Sequence, residues 1–155
     1  MDSDLFFLEL ALKQARLACA RSEVPVGAVL VDKDGVLAMG FNTVEADHDV
    51  SCHAEMHVIR LASKKREDWR LNGTTLYSTL EPCPMCAGAI VNARIDRLVY
   101  AAKDSRWGGA ATQLIFKPNQ FNHTVSVSYQ PIQAASDLLR AFFKERRSAS
   151  KGFEL

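Results

Sequence analysis

With 155 residues, 48% of them hydrophobic, the chain is long enough for one globular domain with a continuous core and too short for two. No apolar run approaches the roughly 18 residues that a membrane-spanning helix needs, so no membrane partner is expected. A formal net charge of +1 neither requires nor excludes a polyanionic partner, because local clustering of charge decides that and the total does not.

Along the chain, Ser3 is placed to cap a first helix from Asp4 to Ser22, with Leu8, Leu12, Ala15 and Cys19 at helical spacing and Cys19 read as core. Val26 to Val31 is apolar and β-branched, Asp32-Lys33-Asp34-Gly35 is a turn, and Val36 to Asn42 resumes a strand, which predicts a hairpin. Thr43 to Cys52 is polar and irregular and ends where a helix from His53 to about Lys64 begins; the run Lys64 to Asp68 reads as solvated surface. After the Asn72-Gly73 turn, Thr75 to Thr79 reads as a buried strand, and Pro82 and Pro84 suit the start of a helix from Cys83 to about Ala93. Arg97 to Ala101 and Thr124 to Ser128 read as further strands, and Lys103 to Ala111 as a loop. Gln133 to Ser148 predicts a closing helix with Leu138, Leu139, Phe142 and Phe143 inward, followed by a frayed end from Ala149 to Leu155. Strands alternating with helices argue an α/β sheet, with the site at strand ends.

Chemistry concentrates in His53-Ala54-Glu55 and Pro82-Cys83-Pro84-Met85-Cys86. A Cys-x-x-Cys pair presents two thiolates on one side of a turn, and a distant imidazole completes three-coordinate zinc with an open fourth position, where a water is activated. In a helix each residue turns about 100°, so His53 and Glu55 converge only beyond a helix N-terminus, and the same holds for the cysteines. The metal is therefore expected where two helix N-termini face each other, which also favours thiolate. Glu55 is then the proton carrier. The rival arrangement is a closed structural site with Cys52 or His57 as fourth ligand, which leaves Glu55 without a role. The four cysteines, two of them claimed by the metal motif, do not form a secreted disulfide framework, and no leader pattern is seen, so a reducing cytoplasm is expected.

His-x-Glu followed by Pro-Cys-x-x-Cys resembles the signature of the zinc-dependent nucleobase deaminases. Glu23-Val24-Pro25-Val26-Gly27-Ala28-Val29-Leu30-Val31, Gly40-Phe41-Asn42 and Thr79-Leu80-Glu81-Pro82-Cys83-Pro84-Met85-Cys86-Ala87-Gly88-Ala89 resemble the bacterial tRNA adenosine deaminases in particular. The likeness continues in Ala102-Lys103-Asp104, Gly108, Asn122-His123 and Phe142 to Arg147. It implies a single deaminase domain over residues 1–155, with a three-layer α/β/α cytidine-deaminase-like fold and a mixed five-stranded sheet carrying helices on both faces. It implies His53, Cys83 and Cys86 as ligands of one Zn²⁺ per subunit, and Glu55 as the catalytic proton shuttle. Asn42, Ala54 and Asp104 would meet the substrate nucleotide, and Lys103, Arg106, Trp107, Phe143, Arg146 and Arg147 the RNA around it. The implied reaction is hydrolytic deamination of the wobble adenosine in a tRNA anticodon stem-loop by a cytoplasmic homodimer paired through the ligand helices.

Read alone, Asn42 has the alternative of a turn residue ending the hairpin, and Asp104 reads as a loop cap. An amide can, however, offer its NH₂ to a purine N7. The chain departs from the family at His48-Asp49-Val50-Ser51-Cys52, where a proline is commonly found and where a thiol now stands beside His53. Two other functions share part of the pattern. A guanine deaminase has the same fold and both motifs, and needs a closed lid where an RNA enzyme needs cations around the pocket. A non-catalytic RNA-binding subunit would keep zinc and have no use for Glu55.

Overall fold

The structure is a computed structural model that describes residues 2–108, 112 and 115–151, apart from the side chain of residue 151. In chain order the elements are α1 (Ser3–Ala20), β1 (Gly27–Asp32), β2 (Gly35–Phe41), α2 (Val44–Asp47), α3 (Ala54–Arg66), β3 (Thr75–Ser78), α4 (Pro84–Asn92), β4 (Arg97–Tyr100), β5 (Ser126–Tyr129) and α5 (Gln133–Lys151). The strands form one mixed sheet in the order β2-β1-β3-β4-β5. β1 runs antiparallel to both β2 and β3, and β3, β4 and β5 run parallel, with α4 as the crossover from β3 to β4.

Two glycines show how the helices divide between the faces. A Cβ on Gly27 would stand 2.0 Å from Ala11 O and 2.5 Å from Ala15 N, so α1 presses directly on β1 there. A Cβ on Gly40, paired with Ala28, would come 3.1 Å from the Cβ of His57 and 3.7 Å from Ala54 O, so α3 packs on that side. Because Gly27 and Ala28 are adjacent in a strand, they point to opposite faces, and α1 and α3 therefore cover opposite sides of the sheet. α4 packs beside α3 and α5 beside α1, completing three layers. The core between them includes Leu8, Leu12, Val29, Leu30, Val58, Leu76, Ile90, Leu98 and Val99. Asp4 ties α1 to the sheet: its carboxylate accepts from both nitrogens of Arg97 at 2.7 Å and from the Tyr77 hydroxyl at 2.8 Å.

Several sequence expectations need correction. Asp2, and not Ser3, caps α1, its carboxylate accepting from the Asp4 N–H. Ala18 takes the core position and Cys19 is only half-buried. The segment 43–52 contains the short helix α2, and Lys64, Lys65 and Arg66 are the last turn of α3, where their charge suits the helix C-terminus. In α5 Leu139 and Phe142 are buried, but Leu138 is half-buried and Phe143 is 41% exposed. Helix α5 continues to residue 151, beyond the expected fraying point. Residues 109–111 of the loop expected from Lys103 to Ala111, and tail residues 152–155, lie outside the described residues.

Candidate active site

His53 and Cys83 each occupy the residue just before a helix, in extended conformation, as the N-caps of α3 and α4. Neither side chain caps its own helix, so both are turned toward the gap between the two helix starts. His53 Nδ1 lies 3.6 Å from Cys83 Sγ and 3.4 Å from Cys86 Sγ. An ion bonded tetrahedrally at about 2.0–2.1 Å to nitrogen and about 2.3 Å to sulfur sets those atoms about 3.5 Å apart, so the imidazole already stands at zinc spacing from both sulfurs. Cys83 is held down to about 4 by the hydrogen bond from the Cys86 thiol and by His53, while Cys86 is pushed up by that same bond and by burial. The pair thus holds one thiolate ready before any metal arrives.

Glu55 sits in the first turn of α3 and is buried. Its Oε2 lies 3.6 Å from Cys86 Sγ, and its Oε1 lies 3.3 Å from the Ser78 hydroxyl at the end of β3. That hydroxyl has one proton to give and two acceptors within reach, Glu55 Oε1 and Leu80 O at 2.8 Å. Burial raises the Glu55 carboxyl above the usual range. Such a group keeps its proton to a higher pH than an ordinary carboxyl does, which suits a proton carrier.

The donors open onto a cavity of about 270 Å³. His53, Ala54, Glu55 and Cys83 line it on one side, Val24, Val26 and Asn42 on another, and Leu80, Glu81, Asp104 and Trp107 on a third. Asn42 donates from Nδ2 to Val24 O at 3.4 Å, and its Oδ1 is buried without a partner. Buried acceptors without partners are costly, so this oxygen is suited to an incoming N–H. Asp104 caps its own loop, accepting from the N–H groups of Arg106 and Trp107, and Trp107 is 65% exposed at the cavity's edge. Lys103 lies over the Tyr129 ring and Arg106 is exposed, while Arg146 lies over the Phe142 ring and donates to Ser22 O. Arg147 and Phe143 are exposed on the same helix.

Two carboxylates that carried no role in the sequence reading shape this cavity. Glu81 accepts from the Asp104 N–H at 3.1 Å and from the Thr112 hydroxyl at 2.5 Å, fixing the loop that bears Trp107. Glu23, fully buried, accepts from the N–H groups of Glu45 and Ala46 and so fixes the opposite wall. Neither has a motif spacing that announces it; only their burial distinguishes them. Cys52 and His57 do not join His53: they gather with Asp47 in a separate cluster.

The layered fold and the His53, Cys83 and Cys86 centre beside a buried glutamate define a zinc-dependent deaminase. Residues 1–102 match the family described as the cytidine and deoxycytidylate deaminase zinc-binding region. The tRNA-specific adenosine deaminase of Bacillus subtilis is 40% identical over 153 residues, spanning 97% of this chain and 95% of that protein. A structure solved in a study of A-to-I editing by tRNA:A34 deaminases at the wobble position of transfer RNA superposes with a TM-score of 0.80 at 41% identity, covering 87% of this chain and 99% of that one. The guanine deaminase of Bacillus subtilis superposes less well, with a TM-score of 0.65 at 29% identity over 93% and 95% of the two chains. The chain belongs to the tRNA-specific adenosine deaminases. Among the described residues no helix is long and apolar enough to cross a membrane.

Proposed function

We infer that this chain is a single catalytic domain that hydrolytically deaminates adenosine to inosine at the wobble position of a tRNA anticodon loop, in the cytoplasm. The observation that carries the reading is the buried Glu55, within 3.6 Å of the sulfur of Cys86, at the wall of a cavity open enough to admit a nucleobase. His53, Cys83 and Cys86 would hold one zinc ion per subunit, which supplies Lewis-acid activation of a water molecule. Replacing the 6-amino group by the oxygen of water requires two proton deliveries, one to N1 and one to the departing amine. Glu55 is the carboxyl placed for both, and the Ser78 hydroxyl beside its Oε1 helps hold it in position.

Asn42 orients the base. One N–H of its NH₂ goes to Val24 O, the second remains for the donation to N7 expected from its chemistry, and Oδ1 offers an acceptor to an N–H or O–H of the nucleotide. Ala54 packs beneath the base, and Val24 and Val26 supply apolar walls that exclude water. A base from an unpaired loop is cheap to turn out, since only stacking is lost, and Trp107 at the mouth offers a face for a neighbouring base. Asp104 holds the loop at the mouth, and Lys103, Arg106, Arg146 and Arg147 supply charge for phosphates.

The homodimer belongs to the same proposal. Ala87 and Ile90 are buried in this chain's own core, so the surface that α4 offers a second copy is narrower than the sequence suggested: Met85, Gly88 and Ala89. A Cβ on Gly88 would meet nothing, which leaves room for close approach. Light scattering at micromolar concentration checks the pairing. The reaction is checked by digesting tRNA after incubation with the enzyme and looking for inosine by mass spectrometry; its absence from zinc-loaded reactions overturns the reading.

A further inference from the structure

We propose that Asp47, Cys52 and His57 form a second divalent-metal site, separate from the zinc centre of the active site and selective for a borderline-soft ion such as Zn²⁺. One ligand atom from each side chain lies within 4.8 Å of the other two. The three differ in kind, a carboxylate oxygen, a sulfur and an imidazole nitrogen. That mixture suits zinc and disfavours magnesium or calcium, which take oxygen ligands alone.

The backbone preorganises the group. Thr43 N–H donates to Cys52 O at 3.0 Å, closing the segment between them into a loop, and Asp47 N–H donates to Thr43 O at 2.9 Å within it. His57 is held from the other side by α3, its N–H donating to His53 O. The Thr43 hydroxyl stands between two of the ligands, 2.5 Å from Asp47 Oδ2 and 2.7 Å from His57 Nε2. It is therefore placed either to complete the coordination or to yield its position to the ion by a side-chain rotation.

Charge points the same way. The neighbourhood holds Asp47 and Asp49, with Arg60 approaching through its bond to Ser51 Oγ at 2.8 Å. The two carboxylates outnumber the one guanidinium, so a divalent ion would meet net negative charge there. Asp47 is exposed, so it can close on an ion without disturbing the core, whereas Cys52 and His57 are fixed. Occupancy would clasp the loop whose ends carry Asn42 and His53 into the cavity, stiffening two of its walls.

The test is metal stoichiometry. Protein stripped of metal is dialysed against micromolar free Zn²⁺, and bound zinc per chain is measured by mass spectrometry for the wild type, Cys52→Ala and Asp47→Asn. Two equivalents are expected in the wild type and one in each variant. Cobalt substitution adds a second readout: loading the second equivalent should add thiolate-to-metal absorption that is missing from Cys52→Ala. A single equivalent in the wild type, or a second one that survives in both variants, overturns the proposal. A Cys86→Ala variant separates this claim from the assignment of the catalytic centre, since loss of the first equivalent in that variant alone supports that assignment whatever the second site does.

Discussion

The guanidinium of Arg146, near the end of the last helix, lies 3.9 Å from the carboxylate of Glu45, which lines the cavity. Both side chains are substantially exposed, so the pair adds little to stability. Its consequence is placement: the basic end of α5 is brought to the cavity mouth, where a polynucleotide would pass. Charge removal in Arg146→Ala/Arg147→Ala should therefore weaken binding of an anticodon stem-loop and flatten its dependence on salt, each lost phosphate contact reducing the slope of log K against log salt by about 0.7 to 0.9. Zinc content should not change. Binding isotherms at several salt concentrations check this, and an unchanged slope would remove these residues from the RNA surface.

Glu55→Ala should keep its zinc and lose turnover by about 10²- to 10⁴-fold, the usual worth of a general acid–base group. The carboxylate lies against Cys86 and Ser78 and is not one of the three close donors. Metal analysis beside an inosine assay decides it; a variant that loses zinc along with activity would make Glu55 a ligand.

Cys86→Ala should release the metal and lower thermal stability, because the centre joins the starts of α3 and α4, two helices otherwise linked by a modest packing contact. Thermal melts with and without added zinc measure both effects. A melt that still rises with zinc to the wild-type value would show that His53 and Cys83 suffice.

Away from the site, the Asp4 carboxylate should make folding sensitive to acid. The hydrogen bonds from Arg97, outweighing its burial, hold it below the ordinary carboxylate value. A depressed folded value means the stabilisation is complete above the unfolded value of about 3.9 and disappears as pH falls through the folded one. Discounted for the partial exposure of Arg97, Asp4→Asn should cost about 1–2 kcal/mol at neutral pH, or roughly 2–8 °C in Tm. The gap to the wild type should narrow below about pH 4. Melts across pH check it, and a gap that stays constant to low pH would contradict the assignment.

The zinc centre was legible in the sequence because helix geometry forces His53 and Glu55 to converge only at a helix start, and because Pro82 and Pro84 mark another. The hairpin, both ligand helices and the order of strands and helices follow from periodicity and turn residues in the same way. What stayed hidden depends on contacts distant in sequence. The buried carboxylates Glu23 and Glu81 act on backbone N–H groups 22 and 23 residues away, which no local pattern encodes. Phe143 was expected inward with Phe142, yet only Phe142 is buried and Phe143 stands edge to face with it on the exposed side. Cys52 and His57 looked like rivals for the first metal until the fold set them beside Asp47.

The account turns on the substrate, and parallel turnover of an anticodon stem-loop and of free guanine by the same zinc-loaded enzyme tests it most directly. A cavity lined by Trp107 and Glu45, with Arg146 beside Glu45, should yield inosine in the RNA, at a rate that falls steeply with salt, and no xanthine from guanine. Salt-insensitive conversion of guanine, with the RNA left unedited, would contradict it.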